Sequence, residues 1–274
     1  MKIKIWVHCL VRNEERFIWF AINSVIDWVD RVLVYDLGST DHTVEIIKTI
    51  KNKKIVLKEY PKNKDMIELG KYRQQMLDET KADWILILDG DEIWPDGSIR
   101  KLTSAMEQND SAECMVVPTY MLLGDIFHYQ EELGGEYQIA GRKGHFNVRA
   151  INMKIPGLHI ETHSNQQGFF REGYFDKDGK LIYERGEDKL LFLDAPYLHA
   201  SHLRRSSKDG EVFERQMRFK YELGTPFPKD FKLPGVFFKK YPTLVENPLK
   251  KMPLKYKIPA FFQTPLKKIK RRLS

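Results

Sequence analysis

The sequence predicts an α/β fold with a mostly parallel central sheet, and two observations lead to this prediction. First, apolar runs alternate with helical patterns, which predicts strands at 3–11, 31–35, 55–60 and 84–88 and helices at 17–25, 44–50 and 66–77. Such alternation is typical of parallel sheets, whose right-handed crossovers place helices on both faces. Second, the run at 84–88 is continuously apolar, as expected for a strand buried on both faces.

The regular alternation ends after Asp91, where a different order of elements follows. The predicted elements are a helix at 98–108, strands at 114–121, 145–151 and 189–193, and a helix at 211–222. The segment from 124 to 197 is rich in Gly, His, Tyr and Phe. We expect this second half to remain joined to the first sheet.

Positive charge is concentrated in one tail of the chain. The 274 residues carry a net charge of +7, but residues 229–274 hold thirteen Lys and Arg against Asp230 and Glu246. The tail therefore carries +11 and the preceding 228 residues carry −4. A mildly acidic body argues against a broad nucleic-acid footprint, so no nucleic-acid partner is expected.

Cysteine usage and hydropathy indicate a soluble protein in a reducing compartment. Cys9 and Cys114 both lie in apolar, strand-like runs, so buried reduced thiols are expected. Lysine occurs too early in the first residues for a signal peptide, and no apolar run is long enough to span a bilayer. We expect a cytoplasmic protein.

Polar residues follow three of the predicted strands at the points where the strands end, at 12–14, 36–41 and 89–92. In open parallel sheets ligands bind at the carboxyl ends of the strands, so these clusters are expected to share one edge. Asp89 and Asp91 are hard oxygen ligands suited to Mg²⁺ or Mn²⁺, and the glycine between them allows a sharp turn. The alternative is an ordinary acidic turn after a core strand.

Segments at these positions resemble the motifs of family 2 glycosyltransferases of the GT-A, or nucleotide-diphospho-sugar transferase, fold. They read Leu-Val-Arg-Asn-Glu-Glu at 10–15, Val-Leu-Val-Tyr-Asp-Leu-Gly-Ser-Thr-Asp-His-Thr at 32–43, and Asp-Gly-Asp at 89–91, in the family's order. The second half is similar to the branch of lipopolysaccharide-core and lipooligosaccharide glucosyltransferases. The similar pieces are Phe-Asn-Val-Arg at 146–149, Gly-Leu-His-Ile-Glu at 157–161 and Tyr-Leu-His-Ala-Ser-His at 197–202.

The resemblance implies a mostly parallel sheet flanked by helices, with a nucleotide-sugar-binding half at 1–120 and an acceptor-binding half of the same domain at 121–228. The basic, proline- and aromatic-rich composition of residues 229–274 predicts a membrane-associating C-terminal tail. The resemblance further implies a metal-dependent, inverting hexosyltransferase that uses a nucleotide-diphosphate donor, with a UDP-sugar favoured. The acceptor would be a hydroxyl of a glycan or lipid-linked molecule in cell-surface polysaccharide or lipopolysaccharide synthesis.

The resemblance also implies roles for individual residues. Mn²⁺ or Mg²⁺ would be held by Asp89, Asp91 and His199, with His202 as the alternative histidine. The donor would be bound by Val11, Asn13, Glu14, Asp36, Ser39, Asp41, Lys71, Arg73, Asp89, Gly90 and Arg204. Arg205 could hold phosphate oxygens together with Arg204. The general base would be Glu161, with Asp188 as the second choice and Glu187 as the third.

Two other functions compete with this interpretation. A nucleotidyltransferase would build on a similar sheet, but such enzymes usually open with a glycine-rich phosphate loop, and residues 11–14 contain no glycine. The other competitor is a non-catalytic membrane-binding module, which the basic tail favours.

The tail combines its charge with aromatic residues and six prolines. Prolines interrupt helices, so short amphipathic pieces are expected rather than one long helix. Basic and aromatic side chains suit an anionic membrane surface, which predicts a peripheral protein on the inner face of the cell membrane. The alternative is a solvated basic tail packed loosely on an acidic body.

Overall fold

The computed structural model describes residues 3–61, 66–109, 111–164, 170–211 and 220–273. The strands within these residues are β1 (Ile5–Val11), β2 (Arg31–Leu37), β3 (Ile55–Tyr60), β4 (Trp84–Ile87), β5 (Glu92–Ile93), β6 (Cys114–Met121), β7 (His128–Tyr129), β8 (Tyr137–Ile139), β9 (Arg142–Gly144), β10 (Phe146–Asn152), β11 (His159–Ser164), β12 (Phe170–Phe175), β13 (Leu190–Phe192), β14 (Tyr197–His199) and β15 (Thr225–Pro226). The helices are α1 (Ile18–Val25), α2 (Thr43–Thr49), α3 (Met66–Glu79), α4 (Asp96–Gln108) and α5 (Leu254–Leu273).

The central sheet has the strand order β3-β2-β1-β4-β10-β6-β14-β5, and β13 also pairs with β6. The first four strands run parallel, as do β6, β13 and β14. Strands β10 and β5 run antiparallel to their neighbours. The prediction of a mostly parallel α/β sheet is therefore confirmed, and the second half joins the same sheet through β10.

Alternate side chains of β1 serve the two faces of the sheet. Val7, Cys9 and Val11 lie in the large core with residues of α1, α2 and α4. Trp6 points to the opposite face, where it packs with Met76 of α3. Both cysteines are buried free thiols. Helices therefore cover both faces, because strand side chains alternate and both sides are apolar.

A separate hairpin of β11 and β12 packs on α3. The amide of Ile160 donates to the Gln74 side-chain carbonyl at 2.7 Å. This contact holds the hairpin, which carries Glu161, against the helix that precedes β4. The predicted helix at 211–222 falls mostly on residues 212–219, which lie outside the described residues.

The predicted tail consists of two different parts. In the first part, Phe237 is 1% exposed and packs edge-on against Phe20 of α1, with ring centroids 5.3 Å apart. This part belongs to the main core, so the expectation of a loosely packed tail does not hold for it. The second part is α5, one helix of 20 residues that contains Pro259 and Pro265.

The expectation of short helical pieces is thus wrong for α5. Each proline removes one main-chain donor, but tertiary contacts support the helix more than intrinsic propensity does. The amide of Leu223 donates to the Thr264 hydroxyl at 2.8 Å, and Arg271 pairs with the buried carboxylate of Glu222. Within the described residues, no helix combines the length and hydropathy needed to cross a membrane.

Candidate active site

The loops after β1 and β2 are joined by hydrogen bonds at the carboxyl edge of the sheet. The amide of Asn13 donates to Ser39 Oγ at 2.8 Å, and Asn13 Oδ1 accepts from the amide of Thr40 at 2.7 Å. Asn13 is fully buried in a left-handed conformation, with φ of 55°. Asparagine tolerates this conformation better than most residues, so the motif residue fixes the path of its loop.

Asp36 stabilises the second loop from within. Its carboxylate accepts from the amides of Gly38 and Ser39 at 3.1 and 2.9 Å, and from the Ser39 hydroxyl. Gly38 has φ of 73°, which glycine adopts without strain. Burial raises the pKa of Asp36, and these hydrogen bonds oppose the increase. In the same loop, the Asp41 carboxylate accepts from the amide of Thr43 at 2.9 Å and from the Ser206 hydroxyl at 2.5 Å.

Gly90 allows the loop after β4 to approach the loop after β1. A Cβ atom at this position would lie 2.6 Å from Glu14 Cγ and 3.1 Å from Val11 Cγ1. Since real Cβ atoms essentially never lie 2.6 Å from another heavy atom, any other residue here would displace the Glu14 side chain. Close approach explains this glycine, which the sequence analysis assigned to a sharp turn.

Buried charges collect where these loops meet. The Arg205 guanidinium lies 2.8 Å from Asp91 Oδ2 and 3.3 Å from Glu14 Oε1. His199 Nε2 lies 3.4 Å from the same Asp91 oxygen. The side chain of Asp91 is 1% exposed, so the carboxylate sits in a low-dielectric environment beside two basic groups.

Arg149 of β10 completes the cluster from the other side. It donates to Glu92, lies 3.5 Å from Asp89 Oδ2, and donates through Nε to the Tyr197 hydroxyl at 3.0 Å. The Tyr197 ring stacks on Trp94, with centroids 5.0 Å apart. Arg73 of α3 approaches Asp89 Oδ1 at 3.8 Å. We call Glu14, Asp89, Asp91, Glu92, Arg149, His199 and Arg205 the charged cluster.

The pKa shifts show the charge balance of this cluster. Burial raises the pKa of Glu92 to about 7, with Arg149 opposing the increase and Asp89 adding to it. Burial alone would lower the pKa of His199, but the carboxylates of Asp91, Glu92 and Asp89 raise it overall. Four carboxylates thus face two arginines and a histidine that gains a proton readily. Arg73 faces Asp89 as well, and a divalent cation bound here would take the place of some of these basic groups beside the carboxylate oxygens.

The donor set fits a hard divalent ion. Ligand atoms of Asp89, Glu92 and His199 all lie within 4.8 Å of one another. Two carboxylates and one imidazole suit Mn²⁺, and carboxylates also suit Mg²⁺. The geometry differs from the predicted set of Asp89, Asp91 and His199, because Glu92 takes the place of Asp91 in the compact group. Asp91 lies beside His199 and bonds to Arg205 instead.

Three predicted donor-binding side chains lie in different places. Arg73 faces Asp89. Lys71 is exposed on another face of α3, beside Ile160 and Thr162 of the β11–β12 hairpin. The Arg204 guanidinium lies over the Tyr256 ring, 5.2 Å from its centroid, and Arg205 is the arginine that reaches the charged cluster.

The two predicted bases lie on different elements of the fold. Glu161 is half-exposed on β11, and its carboxylate bonds to His159 Nε2 at 2.9 Å. Asp188 precedes β13, whose Leu190 pairs with Cys114 at the start of β6, whereas His199 pairs with Met121 at its end. Seven residue steps at ~3.3 Å each separate these levels by about 23 Å. The structure does not bring Asp188, or its neighbour Glu187, to the cluster.

Sequence reasoning assigned no role to Glu92 or Arg149. Glu92 directly follows the Asp-Gly-Asp motif, and Arg149 lies in a segment already noted for its resemblance. The available signal was a charged residue in an otherwise apolar strand, since such a residue is rarely buried without a partner.

The sequence matches glycosyl transferase family 2 over residues 7–172, which is more than half of the chain. The chain belongs to this family. The matched region includes the three motif loops, Arg149 and Glu161, but not His199 or Arg205. Family membership and the curled, mostly parallel sheet flanked by helices confirm the predicted GT-A-like fold.

Curated relatives of the family cover only part of the chain. An uncharacterized glycosyltransferase of Rickettsia typhi is 38% identical over 91 residues, and one of Rickettsia bellii is 40% identical over 91 residues. Each alignment covers 32% of this chain and only 28% of the relative.

Solved structures give weaker similarities. Glucosyl-3-phosphoglycerate synthase from Mycobacterium tuberculosis, solved with Mn²⁺ and UDP-glucose, is 19% identical with a TM-score of 0.46, covering 78% of this chain and 76% of that one. S. aureus TarS 1-349, solved with UDP-GlcNAc, is 16% identical with a TM-score of 0.48, covering 72% and 58%.

Proposed function

We propose that the protein is a metal-dependent, inverting glycosyltransferase that moves a sugar from a UDP-sugar to a hydroxyl of a glycan or lipid-linked acceptor. The observation that carries this proposal is the charged cluster, in which four carboxylates and one imidazole gather at the carboxyl edge of a family 2 sheet. Membership in the lipopolysaccharide-core branch, and a role in cell-surface glycan synthesis, belong to the same proposal and rest on the resemblance of the second half.

The chain supplies four contributions to this reaction. Asp89, Glu92 and His199 would hold Mn²⁺ or Mg²⁺, which when bound neutralises the diphosphate leaving group. Asp91 would orient His199, and Arg205 lies between the carboxylates of Asp91 and Glu14. Arg73 lies beside Asp89, where its guanidinium could reach a donor phosphate. The loop network of Asn13 and Ser39 would shape the nucleoside pocket.

Glu161 is proposed as the general base that accepts the proton of the acceptor hydroxyl. It lies on the hairpin that packs against α3, the helix that also carries Arg73. Its bond to His159 leaves half of the side chain exposed to an incoming acceptor. Single displacement needs no covalent nucleophile, which agrees with the burial of both cysteines.

Thermal unfolding with a panel of nucleotide sugars, with Mn²⁺ or with a chelator, tests the donor and metal assignments. We expect one UDP-sugar to stabilise the protein by about 2.7 kcal/mol at a hundredfold excess over Kd, and only with metal. Equal stabilisation in the chelator would contradict the metal site. Formation of a nucleotide sugar from UTP and a sugar phosphate would instead identify the competing nucleotidyltransferase.

The partner surface is proposed to be an anionic membrane, contacted through α5. Ala260 and Thr264 face the body and are buried, while Leu254, Ile258, Phe261, Phe262, Leu266, Ile269 and Leu273 are 55–84% exposed. At 100° per residue these apolar side chains form one continuous face, roughly opposite the buried one. The lysines and arginines of α5 add charge that favours anionic lipid.

Sedimentation with phosphatidylcholine vesicles, with and without phosphatidylglycerol, tests this partner. We expect binding that requires phosphatidylglycerol and weakens at high salt. Phe262→Gln should reduce binding about three- to tenfold because it removes one buried aromatic ring from the interface. Phe238→Gln is the matched control, since Phe238 is 66% exposed in the tail but outside α5, against 69% for Phe262. Equal losses in both variants would contradict docking through α5.

A further inference from the structure

A cavity of about 180 Å³ lies between the start of α1 and the tail, and we call it the tail cavity. Its walls come from four segments of the chain, namely residues 16–17, 124–126, 203–204 and 246–256. Phe17 and Ile126 contribute buried apolar surface to it. The cavity therefore has an apolar part and is partly built by the tail that follows the family-matched region.

Cations outnumber anions around the tail cavity. Arg16, Arg204, Lys250 and Lys251 line it, against the two carboxylates of Asp125 and Glu246. The Asp125 carboxylate is used by the fold, because it accepts from the amides of Phe127 and Met252 at 3.0 and 3.1 Å and bonds to His128. Two carboxylates therefore face four cations, and of the two only Glu246 points its oxygens at cavity cations in the described contacts.

Glu246 occupies the position of an anion held by the cavity. Its oxygens lie 3.0 Å from Arg16 Nε and 2.9 Å from Lys250 Nζ. The Lys250 contact is a charge-assisted hydrogen bond, and the Arg16 contact is an ion pair of the kind that guanidinium groups form with carboxylates and phosphates. Arg16 and Lys250 thus already contact a carboxylate of the protein itself, and a carboxylate or phosphate of a ligand has the same chemistry.

The tail cavity adjoins the charged cluster through the backbone. Arg204 directly precedes Arg205, whose guanidinium contacts Asp91. Arg16, which lies two residues after Glu14 of the charged cluster, donates its amide to the Arg205 carbonyl at 3.0 Å. On its other side the cavity reaches Tyr256 of α5, over which the Arg204 guanidinium lies. A ligand here would lie between the proposed transfer site and the proposed membrane surface.

We propose that the tail cavity binds an anionic group, a phosphate or carboxylate, of the acceptor molecule. Arg16, Arg204 and Lys251 supply charge-assisted hydrogen bonds, and Glu246 competes with the ligand for Arg16 and Lys250. The proposal rests on the proposed function, since it names the class of acceptor that presents its hydroxyl to the neighbouring site. A phosphate of this kind occurs in a lipid headgroup and in a free sugar phosphate.

Calorimetric titration of the full-length protein, saturated with UDP and Mg²⁺ so that the donor site is filled, tests the proposal. Two probes are used: glycerol 1-phosphate, and a short-chain phosphatidic acid below its micellar concentration. We expect Arg204→Gln and Lys251→Gln each to weaken binding of both probes about three- to tenfold, as for exposed charge-assisted contacts. Tighter binding of the phosphatidic acid would identify a lipid source, and equal binding would identify a free phosphate.

Two further variants, Glu246→Gln and Lys240→Gln, test whether changes in probe affinity come from the tail cavity. Glu246→Gln removes the competing anion and should strengthen binding about three- to tenfold, which general destabilisation would not produce. Lys240→Gln changes the same charge on an exposed tail lysine outside the cavity and should leave binding unchanged. Three outcomes would overturn the proposal. They are unaltered affinity in both Arg204→Gln and Glu246→Gln, equal losses of affinity in Lys240→Gln and Arg204→Gln, and no binding of either probe.

Binding of UDP distinguishes failure of the proposed function from failure of the acceptor assignment. Failure of the unsubstituted protein to bind UDP with Mg²⁺ would contradict the proposed function and the acceptor assignment with it. Normal UDP binding without a response of the cavity variants would contradict the acceptor assignment alone.

Discussion

The two ends of the central sheet both hold arginine–carboxylate clusters, but the clusters differ in composition and burial. At the amino end of β6, Arg185 bonds to Glu113 at 2.5 Å and also to Asp176, and its side chain is 16% exposed. At the carboxyl end, Arg149 and Arg205 meet four carboxylates and His199, and Glu92 is fully buried. Among the described residues, the metal-type group of ligands occurs at the carboxyl end.

The difference shows that a charge cluster alone does not indicate a binding site. The Arg185 cluster joins one guanidinium to two carboxylates, which ties a loop to the sheet, and the contacts of Arg185 include no imidazole. The charged cluster instead gathers four carboxylates, two arginines and an imidazole, and burying such groups costs folding energy unless each is compensated by a partner, a proton or a cation. Substitutions at the two ends should therefore affect different quantities, with function changing at one end and stability at the other.

The largest effect is expected from Asp91→Asn. It should lower Mn²⁺-dependent turnover of a UDP-sugar about a thousandfold, since several kcal/mol of charge stabilisation are lost when His199 and Arg205 lose their shared partner. Turnover across a Mn²⁺ titration, with circular dichroism to verify folding, provides the measurement. Asp194→Asn is the matched control, because the Asp194 side chain is 87% exposed. Turnover like that of the control would remove Asp91 from the metal environment.

Glu161→Gln should produce the next largest effect. Loss of a half-exposed general base should reduce the transfer rate about 10²-fold, at the low end for general bases, whereas affinity for the donor should stay nearly unchanged. Transfer rates measure the loss of the base, and UDP-sugar Kd values measure donor affinity. A parallel loss of donor affinity would mean that Glu161 acts through the structure of the hairpin rather than on the acceptor.

Arg185→Gln should change stability rather than function. Removing the guanidinium leaves the charge-assisted bonds to Glu113 and Asp176 unmade, which should lower the free energy of unfolding by about 1–3 kcal/mol. Urea unfolding measures the loss, and UDP binding with Mn²⁺ should match that of the unsubstituted protein. Weaker donor binding at unchanged stability would mean that the amino end of the sheet, rather than the carboxyl end, binds the donor.

Much of the fold could be predicted because its signals are local. Strand β6 was predicted with its observed bounds, and the glycine and carboxylates after β2 and β4 lie in short motifs. The charged cluster could be predicted only in part, because Arg149 reaches it through β10 and Arg205 through the loop after β14, both far along the chain from Asp89 and Asp91. Local patterns do not encode which strand neighbours which, and β10 lies between β4 and β6.

The C-terminal region shows the same limit. Prolines predicted an interrupted helix, but Pro259 and Pro265 lie inside α5, where contacts of Thr264 and Arg271 with the body support the helix. Phe237 looks like one of several tail aromatics in the sequence, and only the packing on Phe20 identifies it as core. Tertiary contacts decided both outcomes.

Between the two ends, His8 of β1 should make stability depend on pH. Burial, with the nearby Arg73 charge, lowers the pKa of His8 to about 3, and its ring bonds to Thr80 at 2.7 Å. Below pH 6.5 the unfolded chain binds a proton that the folded chain excludes, so stability falls as pH decreases. The slope is about 1.4 kcal/mol per pH unit, or about 2 kcal/mol between pH 6.5 and 5. Urea unfolding of the protein and of His8→Gln across this range measures it, and parallel curves would contradict the prediction.

The smallest effect is expected from Asp188→Asn, which tests the amino end directly. The Asp188 side chain is 77% exposed beside Lys189, and the strand register places it about 23 Å along β6 from the level of His199. An exposed ion pair contributes little, so stability should change by no more than about 0.5 kcal/mol. The transfer rate should equal that of the unsubstituted protein, measured beside Glu161→Gln in the same assay. A large loss of rate in Asp188→Asn, with Glu161→Gln active, would mean that the acceptor is deprotonated at the opposite end of the sheet and that the carboxyl-end cluster is not where transfer occurs.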